Sequence, residues 1–413
     1  MNTGKLFLMS AVLGLTCSLG CSGQKETRLE EALILYRQNQ LEQALPMLER
    51  VASAEGDNAE AQAWLAETYR RLGHKEDAVT CARKALLLEP CSSFAHTVLA
   101  DALNPVTGQW SQADPESTWT HLMAAIRCDS TDGNAWMSVW VEAIHHGYPK
   151  LVREASVHLA QTGFLSPAAL AYGRWMLRGL PENAILITNG DMDTYPPCAV
   201  QEAEGFRRDV TVVNRSLLNT MWYARYLRDQ AGVSLPIDND SLDRLAPTRS
   251  AGGELVLPSD QIIGAWMAQQ VQGTLARPIM FAVTVDTVHA RLEGTKRYAG
   301  AFLYLRPGTV AETADTVALR RSLSGTQPDD FAPPWVSDLD RSPVRRTTAW
   351  MLSRNVVRAA LTLSDADLDA GRREEAKSWL GWARSLAEAN GCAADFQQEI
   401  ARLEERFARE GGR

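Results

Sequence analysis

The chain has 413 residues, of which 45% are hydrophobic and 22% are charged, and its formal net charge at pH 7 is -8. This length indicates two or three domains, and the composition is that of an ordinary globular protein. Lysine and arginine are dispersed along the sequence rather than clustered, which excludes nucleic acid as a partner class.

The first twenty residues have the pattern of a signal peptide. Lys5 precedes the apolar run Leu6 to Leu15, and Gly20 and Cys21 follow. An apolar run of this length is too short for a membrane-spanning helix. The Gly20-Cys21 pair resembles the cleavage site of bacterial lipoproteins, which implies lipidation of Cys21. We therefore expect a lipid anchor on the periplasmic face of an envelope membrane; the alternatives are simple secretion and an uncleaved anchor.

Five cysteines remain after the signal peptide and Cys21 are set aside: Cys81, Cys91, Cys128, Cys198 and Cys392. The odd number leaves at least one free thiol. The sequence contains no Cys-x-x-Cys pair, so zinc-ribbon and thioredoxin-like sites lack their spacing. A Cys91–Cys128 disulfide is compatible with an oxidising compartment, but the sequence favours buried single cysteines.

Residues 21–174 contain an internal repeat with a period of 34. Small residues recur where two antiparallel helices would approach each other, a glycine marks the turn, and a proline ends the second helix. The positions in the clearest copy are Leu65, Ala66, Tyr69, Gly73, Ala78, Ala82, Ala85 and Pro90. The pattern resembles the tetratricopeptide repeat, which implies a curved helical stack that binds a protein or peptide. The alternative is that the repeats only cap the next domain.

Two adjacent histidines, His145 and His146, follow Trp136 and Trp140 in the last predicted repeat. Neighbouring residues on a helix point to different faces. The sequence therefore predicts that these two side chains do not share a metal ion, and we interpret them as part of the scaffold.

Residues 175–306 change from a helical to a strand-like period. Alternating strands and helices predict a mostly parallel sheet with helical crossovers. The predicted strands are Ala184–Thr188, Val210–Asn214 and Pro278–Val285, the predicted helices are Pro197–Gly205, Leu217–Gln230 and Ser259–Gln272, and Ala301–Leu305 is expected to add an antiparallel edge.

Polar residues follow each predicted strand, where ligands of open α/β sheets bind. Gly190 is expected to supply a tight turn. Asp191 and Asp193 have the spacing and chemistry to hold a divalent cation. The alternative is structural: Asn189 and Asp191 cap the helix that follows. The predicted ligand-binding residues are Asn189, Gly190, Asp191, Asp193, Asn214 and Asp286.

Linked motifs run through the same region. They include Thr188-Asn189-Gly190-Asp191-x-Asp193-Thr194, Gln201-Glu202-x-Glu204-Gly205, Val213-Asn214-x-Ser216-Leu217-Leu218-Asn219-Thr220 and the stretch Arg277–Val285. Together they resemble the soluble C-terminal region of a bacterial membrane family described as protein O-mannosyltransferase-like, over about residues 175–385. That family's transfer chemistry is attributed to its membrane-embedded half, which this sequence lacks. The resemblance therefore implies an accessory or binding module more readily than an enzyme.

The C-terminal part is predicted as a linker loop over residues 307–342, with prolines as breakers, followed by tetratricopeptide-like helices over residues 343–413. Gly371, Ala376, Leu380 and Ala383 repeat the spacing seen in the clearest N-terminal copy. This spacing predicts a further helical hairpin, with a final amphipathic helix that caps it.

The predicted fold class is α/β plus all-α: tetratricopeptide helical repeats, a central mostly parallel α/β domain and a C-terminal helical hairpin. The sequence favours an envelope lipoprotein that acts as a protein-binding or scaffold module, accessory to surface glycan or protein glycosylation, without a cofactor. Its expected partners are an envelope protein or peptide and, through lipid, a membrane. The alternative is a metal-dependent glycan-processing or glycosyltransferase-like enzyme. In that case Asp191 and Asp193 hold a divalent metal, and Asn189 and Asn214 orient the substrate.

Overall fold

The computed structural model describes residues 28–105, 113–285, 295–306 and 313–410. The chain divides into two compact units. Unit 1 extends to Ser130 and includes Ser342–Val344, and unit 2 comprises Thr131–Arg341 and Arg345–Arg413. None of the helices in the described ranges combines the length and apolar character needed to span a membrane.

Unit 1 is a stack of helices in which each helix packs on the next, and its third helix also packs on its fifth. This is the packing expected for helical repeats, so the predicted repeat architecture is confirmed for this unit. The helices are α1 (28–37), α2 (Leu41–Ala54), α3 (Ala59–Leu72), α4 (Lys75–Leu88), α5 (Ser93–Leu103) and α6 (Pro115–Cys128).

The repeat positions seen in the sequence explain this packing. The side chains of Ala66, Ala78 and Ala82 are fully buried between α3, α4 and α5. Gly73 ends α3 with φ at 85°, a left-handed conformation that a side chain would strain. At the other end of α3, the Asn58 side chain accepts a hydrogen bond from the Ala61 N–H at 3.0 Å and caps the helix.

A disulfide joins Cys91, after α4, to Cys128 at the end of α6. The sequence analysis favoured single buried cysteines at these positions, and that preference is wrong. The two residues are 37 positions apart in sequence, but the stacking of α4, α5 and α6 brings their Cα atoms to 5.3 Å. Cys81, Cys198 and Cys392 are free thiols.

Unit 2 begins with three helices, α7 (Gly133–His145), α8 (Pro149–Gln161) and α9 (Pro167–Arg178). The predicted repeat domain of residues 21–174 includes α7, α8 and most of α9. In the structure these helices belong to the same compact unit as the sheet, because α8 and α9 both pack on α10 (Asp191–Glu204), the helix that follows strand β1 (Ile185–Thr188). A Cβ atom at Gly173 would lie 2.6 Å from the backbone carbon of Pro196, so this glycine permits the close contact between α9 and α10.

The central region of unit 2 alternates strands and helices as predicted. The main sheet is built from β1 (Ile185–Thr188), β2 (Thr211–Asn214), β5 (Ile279–Ala282), β6 (Thr295–Tyr298), β7 (Phe302–Arg306) and β8 (Thr313–Ala314). Between these strands lie α10 (Asp191–Glu204), α11 (Met221–Asp229), α12 (Asn239–Asp243) and α13 (Pro258–Val271), together with a two-stranded ribbon of β3 (Thr248–Arg249) and β4 (Leu255–Val256).

The described strands of the main sheet have the order β2-β1-β5-β7-β6-β8. β1 lies between two parallel neighbours: Ile185 is opposite Thr211 of β2 and Ile279 of β5. The predicted parallel core is therefore confirmed. β7 pairs antiparallel with β5, as expected, but it is not an edge strand because β6 pairs with its other side. The sequence analysis did not predict β6, and the sheet as a whole is mixed.

The helix after β1 begins earlier than predicted. α10 starts at Asp191 rather than at Pro197, and both Pro196 and Pro197 lie inside it. The predicted start at Pro197 was too late because prolines are usually found in the first turn of a helix rather than in its interior. Because the helix starts at residue 191, the stretch Asp191 to Asp193 is its first turn rather than an open loop.

The described part of the segment predicted as a linker, residues 313–341, belongs to unit 2. It includes α14 (Thr316–Leu323) and a 3-10 turn at Pro328–Phe331. Phe331 and Trp335 are buried, and the Trp335 indole N–H donates to the Asn390 side chain at 2.6 Å. The prolines interrupt regular structure without freeing the segment, because large apolar side chains between them anchor it.

The C-terminal helices are confirmed as α15 (Pro343–Thr348), α16 (Ser353–Asp369), α17 (Arg373–Ala389) and α18 (Gln397–Glu410). α16 and α17 pack against each other as a hairpin. Asp367 is fully buried on α16 and pairs with Arg320 of α14 and Arg372. This ion cluster explains why an aspartate stands where the N-terminal repeat has Tyr69.

Candidate functional site

A buried carboxylate joins two strand ends of the main sheet. Asp193, in the first turn of α10, is 2% exposed. Its oxygens accept hydrogen bonds from the backbone N–H groups of Asn189, at 2.8 Å, and Gly190, at 2.9 Å, and from the Thr284 hydroxyl after β5. Burial raises the pKa of Asp193, and the three donors oppose that rise. The carboxylate thus holds the turn after β1 against Thr284, the second residue after β5.

A second polar contact closes the end of β2. Asn214 is 4% exposed, and its amide donates to the Thr194 hydroxyl oxygen at 3.0 Å. The Asn214 side-chain oxygen accepts from the Leu217 N–H at 3.0 Å, and the hydroxyls of Thr194 and Thr188 are 2.7 Å apart. Buried polar groups need such partners. Asn214 therefore ties β2 to β1 and α10 through groups of the protein itself.

Asp191 has different surroundings from Asp193. Its side chain is 54% exposed, and one of its oxygens lies 3.2 Å from the Arg345 guanidinium. Arg345 also donates twice to the Asp340 carboxylate, at 2.7 and 2.9 Å. Burial opposes the charge of Arg345, but Asp340 and Asp191 outweigh it and raise its pKa. Asp191 is therefore the exposed member of an Asp–Arg–Asp ion-pair chain.

The structure places Asn189, Gly190, Asp191, Asp193 and Asn214 at the carboxyl ends of β1 and β2, and Asp286 lies outside the described residues. Asp191 is exposed and ion-paired, whereas Asp193 is buried and hydrogen-bonded. These different surroundings do not favour a cation shared by the two carboxylates. The side chain that accepts backbone N–H groups at the start of α10 is that of Asp193, rather than that of Asn189 or Asp191. Gly190 is extended, with φ at -161°, so the turn does not require a glycine there. Metal and ligand binding by these residues stay predictions.

A cavity of about 470 Å³ lies elsewhere in unit 2, among α7, α8, α10, α11 and the first half of β2. Its size falls in the range of small-molecule pockets. Aromatic and charged groups share its wall, including Trp140, Arg153, Glu202, Arg208, Tyr223 and Tyr226. The sequence analysis did not predict it, because its lining comes from four helices and a strand that are scattered over about 90 positions.

The cavity contains one thiol, Cys198, and burial raises the pKa of that thiol to about 12. Burial likewise raises the pKa of the Tyr226 hydroxyl to about 12. Both groups are neutral at physiological pH, and the thiolate is the nucleophilic form of cysteine. The cavity can therefore accept a ligand through its arginines and aromatic rings, but Cys198 is not an activated nucleophile.

In unit 1, an aromatic row crosses the first helix of three successive helix pairs. Tyr36 of α1 contacts Trp64 of α3 edge to face, with ring centroids 5.0 Å apart, and Trp64 contacts Phe94 of α5 at 4.6 Å. Tyr36 is buried, whereas Trp64 and Phe94 remain half-buried. Half-exposed aromatic side chains of this kind are enriched at protein interfaces.

An ion cluster lies beside the aromatic row. Glu67 of α3 is 4% exposed, and Arg70 and Arg71 each pair with it, at 2.7 and 2.6 Å. The Arg71 guanidinium also donates to the Tyr36 hydroxyl at 2.7 Å. Burial opposes ionisation of Glu67, but the two arginines outweigh it and lower its pKa to about 2. Helices α1 and α3 thus present charged side chains, held in place by ion pairs, next to the aromatic row.

The sequence analysis missed this row and its ion cluster. One aromatic side chain on the first helix of each of three repeats was visible in the sequence, but the residues do not occupy equivalent repeat positions. Tyr36 and Trp64 are separated by 28 residues, and Trp64 and Phe94 by 30, so a shift of 34 does not superpose them.

Two parts of the chain match known protein families. Residues 35–101 match the tetratricopeptide repeat. Residues 169–245 match TMEM260-associated domain 2, which is compatible with the resemblance drawn from the motifs of this region. No curated protein matches the chain.

Solved structures with a similar arrangement include a tetratricopeptide-repeat protein of Thermus thermophilus, which is 16% identical. It matches over 53% of this chain and 95% of its own, with a TM-score of 0.32. A MamA protein is 16% identical over 52% of this chain and 99% of its own, with a TM-score of 0.28. A mutant O-GlcNAc transferase of Thermobaculum terrenum is 20% identical over 46% of this chain and 36% of its own, with a TM-score of 0.31. At these values the likeness carries no functional information.

Proposed function

We propose that this chain is a lipid-anchored protein of the bacterial cell envelope. In this proposal, unit 1 binds an envelope protein or peptide, and unit 2 is an accessory module for surface glycan or protein glycosylation. The protein acts as a scaffold, and its own residues perform no transfer chemistry.

The observation that carries the binding function is the row Tyr36–Trp64–Phe94. It runs across α1, α3 and α5 inside the stretch that matches the tetratricopeptide repeat, whose members generally mediate protein–protein contacts. Rigid aromatic anchors next to arginines are typical of the residues that dominate binding energy in protein interfaces.

Two further observations support the cellular setting. Lys5, the apolar run after it and Gly20-Cys21 have the lipoprotein pattern, although these residues lie outside the described ranges. Residues 169–245 match a TMEM260-associated domain, and the same stretch carries most of the motifs shared with the O-mannosyltransferase-like membrane family. A module of that kind would work beside a membrane glycosyltransferase.

Site-specific photo-crosslinking in intact cells tests the binding function. A photoreactive phenylalanine derivative replaces Trp64 in the full chain, and the matched control carries it at Leu87 of α4, which is 84% exposed. We expect a discrete envelope adduct from position 64 and none from position 87. Non-specific capture would favour the more exposed position, so adducts only at position 87, or equal adducts at both, would contradict the proposal.

Membrane fractionation tests the anchor separately. The wild-type chain should sediment with membranes and, by mass spectrometry, should begin at an acylated Cys21. A membrane-bound chain that keeps residues 1–20, or that carries no acyl group at Cys21, would contradict lipid anchoring through Cys21 and would leave the crosslinking result unaffected.

A further inference from the structure

The structure brings together three potential metal ligands that the sequence analysis separated. Glu142, His145 and His146 lie at the C-terminal end of α7, and one ligand atom from each lies within 4.8 Å of the other two. Among the described residues, no other group of three or more histidine, cysteine, aspartate and glutamate side chains meets this condition. The geometric ground for the prediction that His145 and His146 do not share an ion therefore does not hold in the structure.

Helix geometry explains the convergence. Neighbouring helix residues are about 100° apart, so from the position of Glu142 the third residue lies about 60° to one side and the fourth about 40° to the other. His145 and His146 therefore flank the same carboxylate. His146 is the C-cap residue and keeps near-helical angles, with φ at -83° and ψ at -3°. The two rings differ in which nitrogen faces the carboxylate: Nδ1 of His145 and Nε2 of His146.

The distances are compatible with a shared ion, because the His145 contact lies at the outer limit of a hydrogen bond and the His146 contact lies beyond it. Both nitrogens approach the same carboxylate oxygen, Oε2, at 3.5 Å for His145 and 3.7 Å for His146. Strong N–H···O hydrogen bonds are shorter, at about 2.7–3.2 Å. In a tetrahedral zinc site with metal–ligand bonds of about 2.0–2.1 Å, neighbouring ligand atoms are about 3.3–3.4 Å apart.

The surroundings suit a metal centre. Glu142 is 2% exposed, and a buried carboxylate is strongly stabilised by a cation next to it. The imidazoles remain accessible, with 29% of the His145 side chain and 34% of the His146 side chain exposed. Trp222 packs beside His145, with ring centroids 5.2 Å apart, and Tyr148 stacks on His146 at 5.8 Å. Aromatic contacts of this kind restrict the ring orientations.

The cluster and its aromatic neighbour lie next in sequence to two residues of the cavity of unit 2. Ile144 and Tyr223 line that cavity, and they are the chain neighbours of His145 and Trp222. An ion held by three protein ligands keeps a fourth position for water or for a ligand oxygen.

We propose that Glu142, His145 and His146 form a binding site for a zinc-class divalent transition metal at the C-terminal end of α7. Two imidazole nitrogens with one carboxylate oxygen select zinc, nickel or copper over magnesium and calcium, which prefer all-oxygen sites. The site is independent of the aspartates at the strand ends and of the protein-binding surface of unit 1.

Zinc titration of the tag-free full chain against a chromophoric chelator tests the site, after removal of bound metal. The test variant is His145→Ala/His146→Ala. The matched control is His96→Ala/His121→Ala, which removes the imidazole pair of unit 1, whose Nδ1 atoms are 2.8 Å apart. We expect the test variant to lose one equivalent of zinc, or at least tenfold in affinity, relative to both the wild type and the control.

The thermal midpoint of unfolding gives a second readout. Zinc should raise the midpoint of the wild type and of the control variant but not that of the test variant, because a ligand stabilises only the form that binds it. A Glu142→Gln variant should weaken zinc binding without removing an imidazole. The proposal is overturned if the wild type binds no zinc, if the test variant binds zinc like the wild type, or if only the control variant loses zinc.

Discussion

The Thr284 hydroxyl donates a hydrogen bond to the Asp193 carboxylate, and this contact connects the second residue after β5 to the first turn of the helix after β1. The same carboxylate accepts the backbone N–H groups of the intervening turn. The polar residues at this end of the sheet therefore stabilise one another. Asp193 makes most of these contacts, so its substitution should lower the stability of unit 2 more than substitution of its exposed neighbours.

Asp193→Ala should destabilise the protein by about 2–3 kcal/mol, because it leaves two backbone N–H groups and a hydroxyl without their buried acceptor. Asp191→Asn is the matched control. Its side chain is largely exposed, and exposed ion pairs contribute about 0–1 kcal/mol. Urea unfolding of both variants measures the difference. Equal losses of stability would contradict the structural role assigned to Asp193.

Arg345→Ala should cost about 3–5 kcal/mol, because it leaves the Asp340 carboxylate buried without its bidentate partner. Asp340 is 4% exposed, so water cannot replace the guanidinium fully. Arg345→Lys should restore only part of the loss, since an ammonium group cannot make both hydrogen bonds in the same plane. Denaturant midpoints of the two variants check this order, and full rescue by lysine would exclude a specific bidentate contact.

Glu67 should make stability depend on pH in the acid range. Its pKa is lowered to about 2 in the folded protein from an ordinary value of 4.5, so its contribution is present above pH 4.5 and is lost as the pH falls towards 2. A difference of this size corresponds to about 3 kcal/mol.

The Glu67→Gln variant should be less stable than the wild type at pH 7, and the difference should shrink as the pH falls from about 5 to 2. Unfolding curves over this range measure the effect. Glu30→Gln is the control, since Glu30 and its partner Arg37 are both about half exposed. A parallel pH dependence for wild type and Glu67→Gln would refute the assignment.

Reduction of the Cys91–Cys128 disulfide should destabilise unit 1 by about 4 kcal/mol, the chain-entropy value for a crosslink spanning 37 residues. A thiol reductant should lower the thermal midpoint of the wild type. The Cys91→Ser/Cys128→Ser variant should already show the lower midpoint and should not respond to the reductant. A response of that variant would contradict the assignment, because the reductant would then act on a bond other than the Cys91–Cys128 disulfide.

The elements that could be predicted from sequence depend on local patterns. Ala66, Ala78 and Ala82 follow the repeat period, and Ile185–Thr188 is a short apolar run between turn residues, so each element follows from a few neighbouring side chains. The boundary of α10 could not be predicted, because Pro196 and Pro197 are accommodated by Gly173, a residue on another helix.

The chemistry of the candidate sites was harder to predict than their location. Spacing placed Asp191 and Asp193 at a strand end, but only tertiary contacts with Arg345 and Thr284 decide that one is exposed and the other buried. His145 and His146 were considered as a pair of neighbours that point to different faces of a helix. In the structure both rings flank the Glu142 carboxylate, so three ligand atoms come together.

The packing of residues 328–341 sets an order for folding during synthesis. Asn134, at the start of α7, exchanges hydrogen bonds with Leu339 and Arg341, which follow it by 205 and 207 positions. The Cys91–Cys128 link of unit 1 spans only 37 positions. Unit 1 can therefore become compact early, whereas the contacts of Asn134 have to wait for more than two hundred further residues to be added. Until then α7 can pack on α8, which follows it directly in the chain, but not on residues 339–341, so the start of unit 2 is completed late in synthesis.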